Sequence, residues 1–176
     1  MSASSSSAAA GTEGFAGELI HGDAWRGRAF TGLRVAVIAP GREAAVIVPE
    51  VARTARAVKV FQEEPDWLVP LPLPLPALLR RPAARLHLRL AVGDPWTRRR
   101  LTPDARFNTR RPRVDGRYYA ALQQEGCTLI SWPVYALVRE GVRSAEGVEH
   151  QVDCIILGHS SVWSEAPTPS RKDVPA

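Results

Sequence analysis

The sequence predicts an α/β domain built around a parallel sheet, and three observations carry that expectation. Leu33-Arg34-Val35-Ala36-Val37-Ile38 is a short, β-branched apolar run that Ala39-Pro40-Gly41 breaks at once, the pattern of a buried strand entering a turn. From Glu43 to Thr54, the residues Ala44, Ile47, Val48, Val51 and Ala52 recur at helical spacing, with Pro49 placed to distort the middle of that helix. Ala57-Val58-Lys59-Val60-Phe61 then supplies a second strand. Strand, glycine turn, helix and strand in about 30 residues is the βαβ unit of a Rossmann-like nucleotide-binding domain.

Downstream, Val69 to Pro76 alternates Pro with Leu, so it can neither continue a helix nor donate a regular ladder, and is expected to be an extended connector. Ala77 to Leu101 is rich in Leu and Arg and weakly helical, with interruptions expected at Pro82 and at Gly93-Asp94-Pro95. Thr128 to Trp132, Tyr135 to Arg139, Val148 to Gln151 and Cys154 to Leu157 are strand candidates, with Gly126, Pro133, Gly141 and Gly147 marking turns. Cys154 to Leu157, apolar throughout, is expected to join the sheet of the first two strands. One domain over residues 15–161 results, with a Pro/Arg-rich insertion at 64–107 and flexible tails at 1–14 and 162–176.

At 176 residues and 19.2 kDa the chain has room for one ordinary core. Its 45% hydrophobic and 23% charged composition is that of soluble globular proteins. No apolar run approaches the roughly 20 residues of a spanning helix, so no membrane partner is expected. Met1 to Ala10 is Ser and Ala without a cationic start or an apolar block, which reads as a tail and not a secretion signal, hence a cytoplasmic location. Cys127 and Cys154 sit in apolar segments and form neither a CxxC pair nor a metal-ligand cluster, so they are expected to be buried reduced thiols and no metal is expected. The net charge of +5 comes almost entirely from Arg, crowded between Arg80 and Arg117. No aromatic ladder accompanies these arginines, which favours a solvated or cofactor-facing surface over a nucleic-acid site.

Phe15-Ala16-Gly17-Glu18-Leu19-Ile20-His21-Gly22-Asp23-Ala24-Trp25 fits F-x-G-x-x-x-H-x-x-x-W. That pattern resembles the fingerprint of Baeyer-Villiger monooxygenases and, loosened at its last position, of the N-hydroxylating and flavin-containing monooxygenases. Arg26 follows the Trp where the family usually has Pro or Asp. The resemblance continues through VAVIAPGREA, VKVFQEEPDWLVP, LTPDARFNTRRPRVDGRYYAALQ and VDCIIL, and covers Gly11 to Gly158. It implies the nicotinamide-binding part of a flavoprotein oxidoreductase that uses NAD(P)H and FAD. The family's separate glycine-rich FAD unit has no counterpart before Phe15, its helical insertion is shortened here, and Gly158-His159-Ser160 replaces its A-T-G motif. The resemblance therefore suggests a truncated relative that works with FAD only if a partner polypeptide supplies the flavin domain, or that self-associates; a non-catalytic binding module is the alternative.

Site residues follow from the same comparison. The three positions of the Rossmann glycine turn hold Ala39, Gly41 and Ala44, leaving open whether the turn binds a cofactor or only keeps the fold. A positive φ at Ala39 would cost about 1 kcal/mol. Where the family has an Arg for the 2′-phosphate of NADPH, this chain has Glu63, which would accept from a ribose 2′-hydroxyl and favour NAD over NADP; a ligand-free acidic loop is the other possibility. Arg111 matches the Arg that holds the nicotinamide over the flavin, the chain's candidate catalytic residue, and Arg110 matches a neighbouring cofactor-binding Lys. Phe15, Gly17, His21 and Trp25 carry the fingerprint, either as functional residues or as packing of a linker.

Overall fold

The apolar runs become strands because a parallel sheet covered on both faces is where such runs can be buried whole. A computed structural model describes residues 14–70, 76–103, 112–130 and 132–163 of the protein. In chain order the elements are β1 (Glu18–His21), β2 (Arg34–Ala39), α1 (Gly41–Val51), β3 (Ala57–Gln62), β4 (Leu68–Val69), α2 (Ala77–Ala91) and α3 (Pro95–Leu101). There follow β5 (Arg113–Val114), α4 (Tyr118–Leu122), β6 (Cys127–Ile130), β7 (Val134–Val138), β8 (Gly141–Ser144), β9 (Glu149–Gln151) and β10 (Cys154–Leu157). Residues 71–75 of the Pro-rich connector, Arg110, Arg111 and most of both expected tails lie outside the described residues.

A five-stranded sheet in the order β1-β10-β2-β3-β6, parallel throughout, forms the middle layer. The last strand inserts between the first two, with Ile155 opposite Ala36 and Leu157 opposite Ile38, so β10 joins β2 and β3 as the sequence suggests. Side chains alternate across this sheet and split the core in two. Val35, Val37, Val58, Val60 and Ile156 pack with Ala45, Val48, Leu88, Tyr118 and Tyr119 of α1, α2 and α4. Ala36, Ile38, Phe61, Ile155 and Leu157 pack on the other face against Leu137 and Val142 of the antiparallel β7-β8-β9 sheet. Helices, parallel sheet and antiparallel sheet thus make three layers.

Two local expectations need correction. Pro82 does not interrupt α2, which runs unbroken from Ala77 to Ala91. The carbonyl deprived of its amide partner belongs to Leu78, a residue 86% exposed, where water can take the bond. The helix after the glycine turn starts at Gly41 and ends at Val51, three residues before Thr54, and Pro49 lies within its last turn. The strands expected within Tyr135 to Arg139 and Val148 to Gln151 are present and pair through the unanticipated β8 in the antiparallel sheet. The break at Gly93-Asp94-Pro95 is present: Asp94 caps α3 by accepting from the Thr97 amide at 2.6 Å, with Pro95 starting the helix.

Arg34 and Asp153 tie the entries of β2 and β10 together. The carboxylate accepts from the Arg34 amide at 2.8 Å and from its guanidinium at 2.7 and 3.0 Å. These bonds, the guanidinium first and the backbone amide second, lower the Asp153 pKa to about 2. A depressed carboxylate pKa contributes stability above its unfolded value, here the ordinary 3.8, and loses it as pH falls through about 2. Because the side chain is 36% exposed, screening reduces the effect to about 1 kcal/mol. Asp153→Asn is expected to lower stability by that order at pH 7 and to leave it flatter between pH 4 and pH 2, as urea unfolding at a series of pH values would report. Cys154 is buried and Cys127 partly buried, both unpaired, and burial raises their thiol pKa values to about 12 and about 11.

Candidate functional site

In a parallel sheet with helical crossovers, ligands settle outside the carboxyl ends of the strands where the connections part to opposite sides. In this chain that place is the junction of β2 and β10. The chain leaves β2 through α1 toward β3, while β10 lies on the other side and the Gly158 amide bonds the Ile38 carbonyl at 2.9 Å. Ala39, Gly41 and Ala44 are gathered here, Ala39 ending β2, Gly41 opening α1 and Ala44 fully buried beneath it.

Ala39 incurs no φ penalty, since no described non-glycine residue has positive φ. Gly41 is needed for close approach and not for φ. A Cβ there would stand 2.5 Å from the Glu64 carbonyl and 2.7 Å from Gln62 Nε2, and its own amide donates to that Glu64 carbonyl at 2.5 Å. The next amides also turn inward, those of Glu43 and Ala44 both donating to the Pro40 carbonyl at 2.9 Å. The loop after β3 is thereby clamped to the start of α1. Arg42 reinforces the clamp, its Nε donating at 3.1 Å to Asp66, whose side chain is only 5% exposed.

Glu63 follows β3 directly and is half-buried. Its carboxylate accepts from the Ser161 hydroxyl at 3.0 Å and from the Val162 amide, and burial raises its pKa above the ordinary carboxylate value despite those bonds. Glu43, in the first turn of α1, reaches across to accept from the Ser160 amide at 3.1 Å. A cavity of about 450 Å³ opens among Pro40, Arg42, Glu43, Glu63, Glu64, Ser160 and Val162. Three carboxylates and one ion-paired guanidinium line it. The small residues of strand end, turn and helix fit the backbone of a dinucleotide; the carboxylates do not fit its phosphates.

Of the fingerprint residues, His21 and Trp25 lie beside this site, whereas Phe15 and Gly17 lie at the amino end of β1, where a Cβ on Gly17 would meet the Asp153 carbonyl. Gly17 is exposed just before β1, His21 ends β1 opposite Leu157, and Phe15 packs on the core between the sheets. Trp25 is buried in the helical core with the Arg26 guanidinium 4.8 Å above its ring. The loop after β1 reaches the turn: Gly22, Asp23, Trp25, Arg42, Glu43 and His159 surround a cavity of about 200 Å³. His159 Nε2 lies 3.5 Å from Asp23, joining that loop to the one after β10. The arginines of α2 and α3 stand elsewhere, with Arg85, Arg89, Arg98 and Arg99 lining a different cavity beside Trp67. No described helix is long and apolar enough to cross a membrane.

Sequence reasoning passed over Glu43, Ser160 and Ser161. The available signal was positional: Glu43 is one of the two residues between the second and third small positions of the turn, and the serines follow a buried strand that ends in Gly158.

No protein-family model matches the chain. Among curated proteins, a Baeyer-Villiger monooxygenase of Pseudomonas aeruginosa is 28% identical over 84% of this chain and 36% of its own length. An FAD-binding monooxygenase of Aspergillus niger is 25% identical over 92% of this chain and 33% of its own. Among solved structures, a cyclohexanone monooxygenase in an open form superposes with a TM-score of 0.72 at 20% identity, covering 86% of this chain and 45% of that one. An oxidised steroid monooxygenase bound to NADP gives 0.70 at 21% identity, covering 89% and 44%. The fold is therefore that of part of a flavin monooxygenase, and this chain, spanning about a third to under half of each of these four proteins, is similar in sequence over most of its length to Baeyer-Villiger and FAD-binding monooxygenases.

Proposed function

We propose that these residues form the NAD(P)H-binding part of an FAD-dependent monooxygenase of the Baeyer-Villiger type, and that this chain does not turn over by itself. The observation that carries the proposal is the meeting of the Ala39–Ala44 turn with the fingerprint loop around Trp25 at the carboxyl end of the sheet. A bound nicotinamide cofactor supplies hydride to a flavin. This chain's residues would orient that cofactor: Ala39, Gly41 and Ala44 would let it approach the carboxyl end of β2, and Glu63 would accept from the ribose. Arg111, by the family resemblance, would hold the nicotinamide, with a flavin contributed by a partner polypeptide. A steroid monooxygenase of the same fold is bound to NADP, whereas Glu63 in this chain favours NAD(H).

The acidic lining of the cavity favours a second reading, a non-catalytic module that keeps the scaffold alone. Gel filtration of the chain with excess FAD, followed at visible wavelengths, checks the first. Flavin absorbance is expected to separate from the protein peak, and NADH oxidation to appear only when a flavin-domain polypeptide is added. Flavin bands that stay with the chain would contradict the proposal, and absence of oxidation in the reconstituted mixture would favour the non-catalytic module.

A further inference from the structure

At the N-terminus of a Rossmann-type helix, free amides and the positive end of the helix dipole ordinarily face a ligand phosphate. In this chain the Glu43 carboxylate stands there. One oxygen accepts from the Ser160 amide at 3.1 Å, and the other lies against Gly158, so close that a Cβ on that glycine would collide with it and approach the Ala39 Cβ to 2.8 Å. The carboxylate therefore lies over the junction of the β2 and β10 ends, the place a pyrophosphate would take. It does so on the first turn of α1, where the dipole favours a negative charge. The amide of Gly41 is already committed to Glu64, and those of Glu43 and Ala44 to Pro40.

The neighbouring contacts act in the same direction. Glu63 holds the next residue, Ser161, through its hydroxyl at 3.0 Å, and the Ser161 hydroxyl in turn accepts from the Trp163 amide at 3.3 Å. Two glutamates on either side of the β2 end thus fasten consecutive serines of the loop after β10 across the cavity. Arg42, the cation in the lining, is engaged by Asp66.

We infer that Glu43 guards the pyrophosphate subsite of this site: its carboxylate is an internal occupant there, latches the 158–163 loop, and must be displaced before any phosphate-linked ligand enters. The inference rests on the dinucleotide reading for the name of the ligand, and on the geometry alone for the latch. The two glutamates then have separable effects. Glu43 opposes the pyrophosphate that NADH and NADPH share, whereas Glu63 opposes only the 2′-phosphate that distinguishes them.

The test uses the full 176-residue chain with Glu43→Ala and Glu43→Gln, hydrogen exchange at the Ser160 amide, and calorimetric titration with inorganic pyrophosphate, NADH and NADPH. In Glu43→Ala, exchange at Ser160 is expected to quicken about tenfold or more, the order set by losing one charge-assisted bond. All three ligands should tighten by a similar factor, with the ratio of NADH to NADPH affinity unchanged. Glu43→Gln, which keeps an acceptor but no charge, should leave Ser160 protected and tighten the ligands by less. Unchanged Ser160 exchange in Glu43→Ala, or tightening of one dinucleotide and not the other, would overturn the inference. If the unmodified chain binds NADH and neither substitution alters the affinity, the occupant is refuted while the dinucleotide reading stands. If Ser160 is released and pyrophosphate tightens but no dinucleotide binds, the latch is upheld and the dinucleotide reading falls.

Discussion

Glu63→Arg is expected to reverse the cofactor preference of the site, from NAD(H) to NADP(H), by about tenfold or more. In the unmodified chain a 2′-phosphate would meet the Glu63 carboxylate with Glu64 beside it, and Arg42, the guanidinium of the lining, is engaged by Asp66. A ribose hydroxyl, in contrast, would donate to that carboxylate. Exchanging Glu for Arg removes the repulsion and adds a donor fork suited to phosphate, each worth about 1–3 kcal/mol for a charged hydrogen bond. The substitution also removes the acceptor of the Ser161 hydroxyl and the Val162 amide, so the loop after β10 should loosen at the same time. Titration with both cofactors is the check. Tighter binding of NADPH than NADH by the unmodified chain would refute the role assigned to Glu63.

Ile156→Ala should have the largest effect on stability, a loss of about 2–5 kcal/mol. Ile156 is 0% exposed in β10, flanked in register by Ile20 of β1 and Val37 of β2, and faces the helical core. Truncation leaves a void in the strand that joins the fingerprint edge to the glycine turn, where the surrounding sheet cannot collapse to fill it. Urea unfolding reads the change, with Val148→Ala as a comparison. Val148 is 47% exposed, and its truncation should shift stability by no more than about 0.5 kcal/mol.

These two residues mark where the sequence was legible and where it was not. The centre of the sheet announced itself because β2 after Arg34 and the whole of β10 are buried on both faces and carry unbroken apolar runs, while β3 is a β-branched and aromatic run interrupted only by the partly buried Lys59. The edges did not. β1 is a four-residue strand with Glu18 exposed and His21 only partly buried, and it pairs on one side alone, so the fingerprint segment carries no strand signal of its own. β8 is Gly141–Ser144, with Arg143 in the middle, and becomes a strand because β7 and β9 pair with it. At the site, the small residues of the turn were visible as a pattern, but the partnership of Glu43 with Ser160 spans 117 residues, a distance that no local pattern encodes. Pro82 illustrates the converse: a strong local signal lost because tertiary packing of Ala84 and Leu88 holds α2 against the core.

A nicotinamide dinucleotide is expected to settle at the carboxyl end of the parallel sheet, between β2 and β10. Amide resonances of the isotope-labelled chain, followed as NADH is added to millimolar concentration, test it most directly, because even weak binding to a latched site displaces them. The account predicts shifts concentrated at Gly41, Ala44, Gly158 and Ser161, with the amides of α2 and α3 unmoved. Shifts confined to the arginine-lined cavity of α2 and α3, or none at any amide around the Ala39–Ala44 turn, would contradict it.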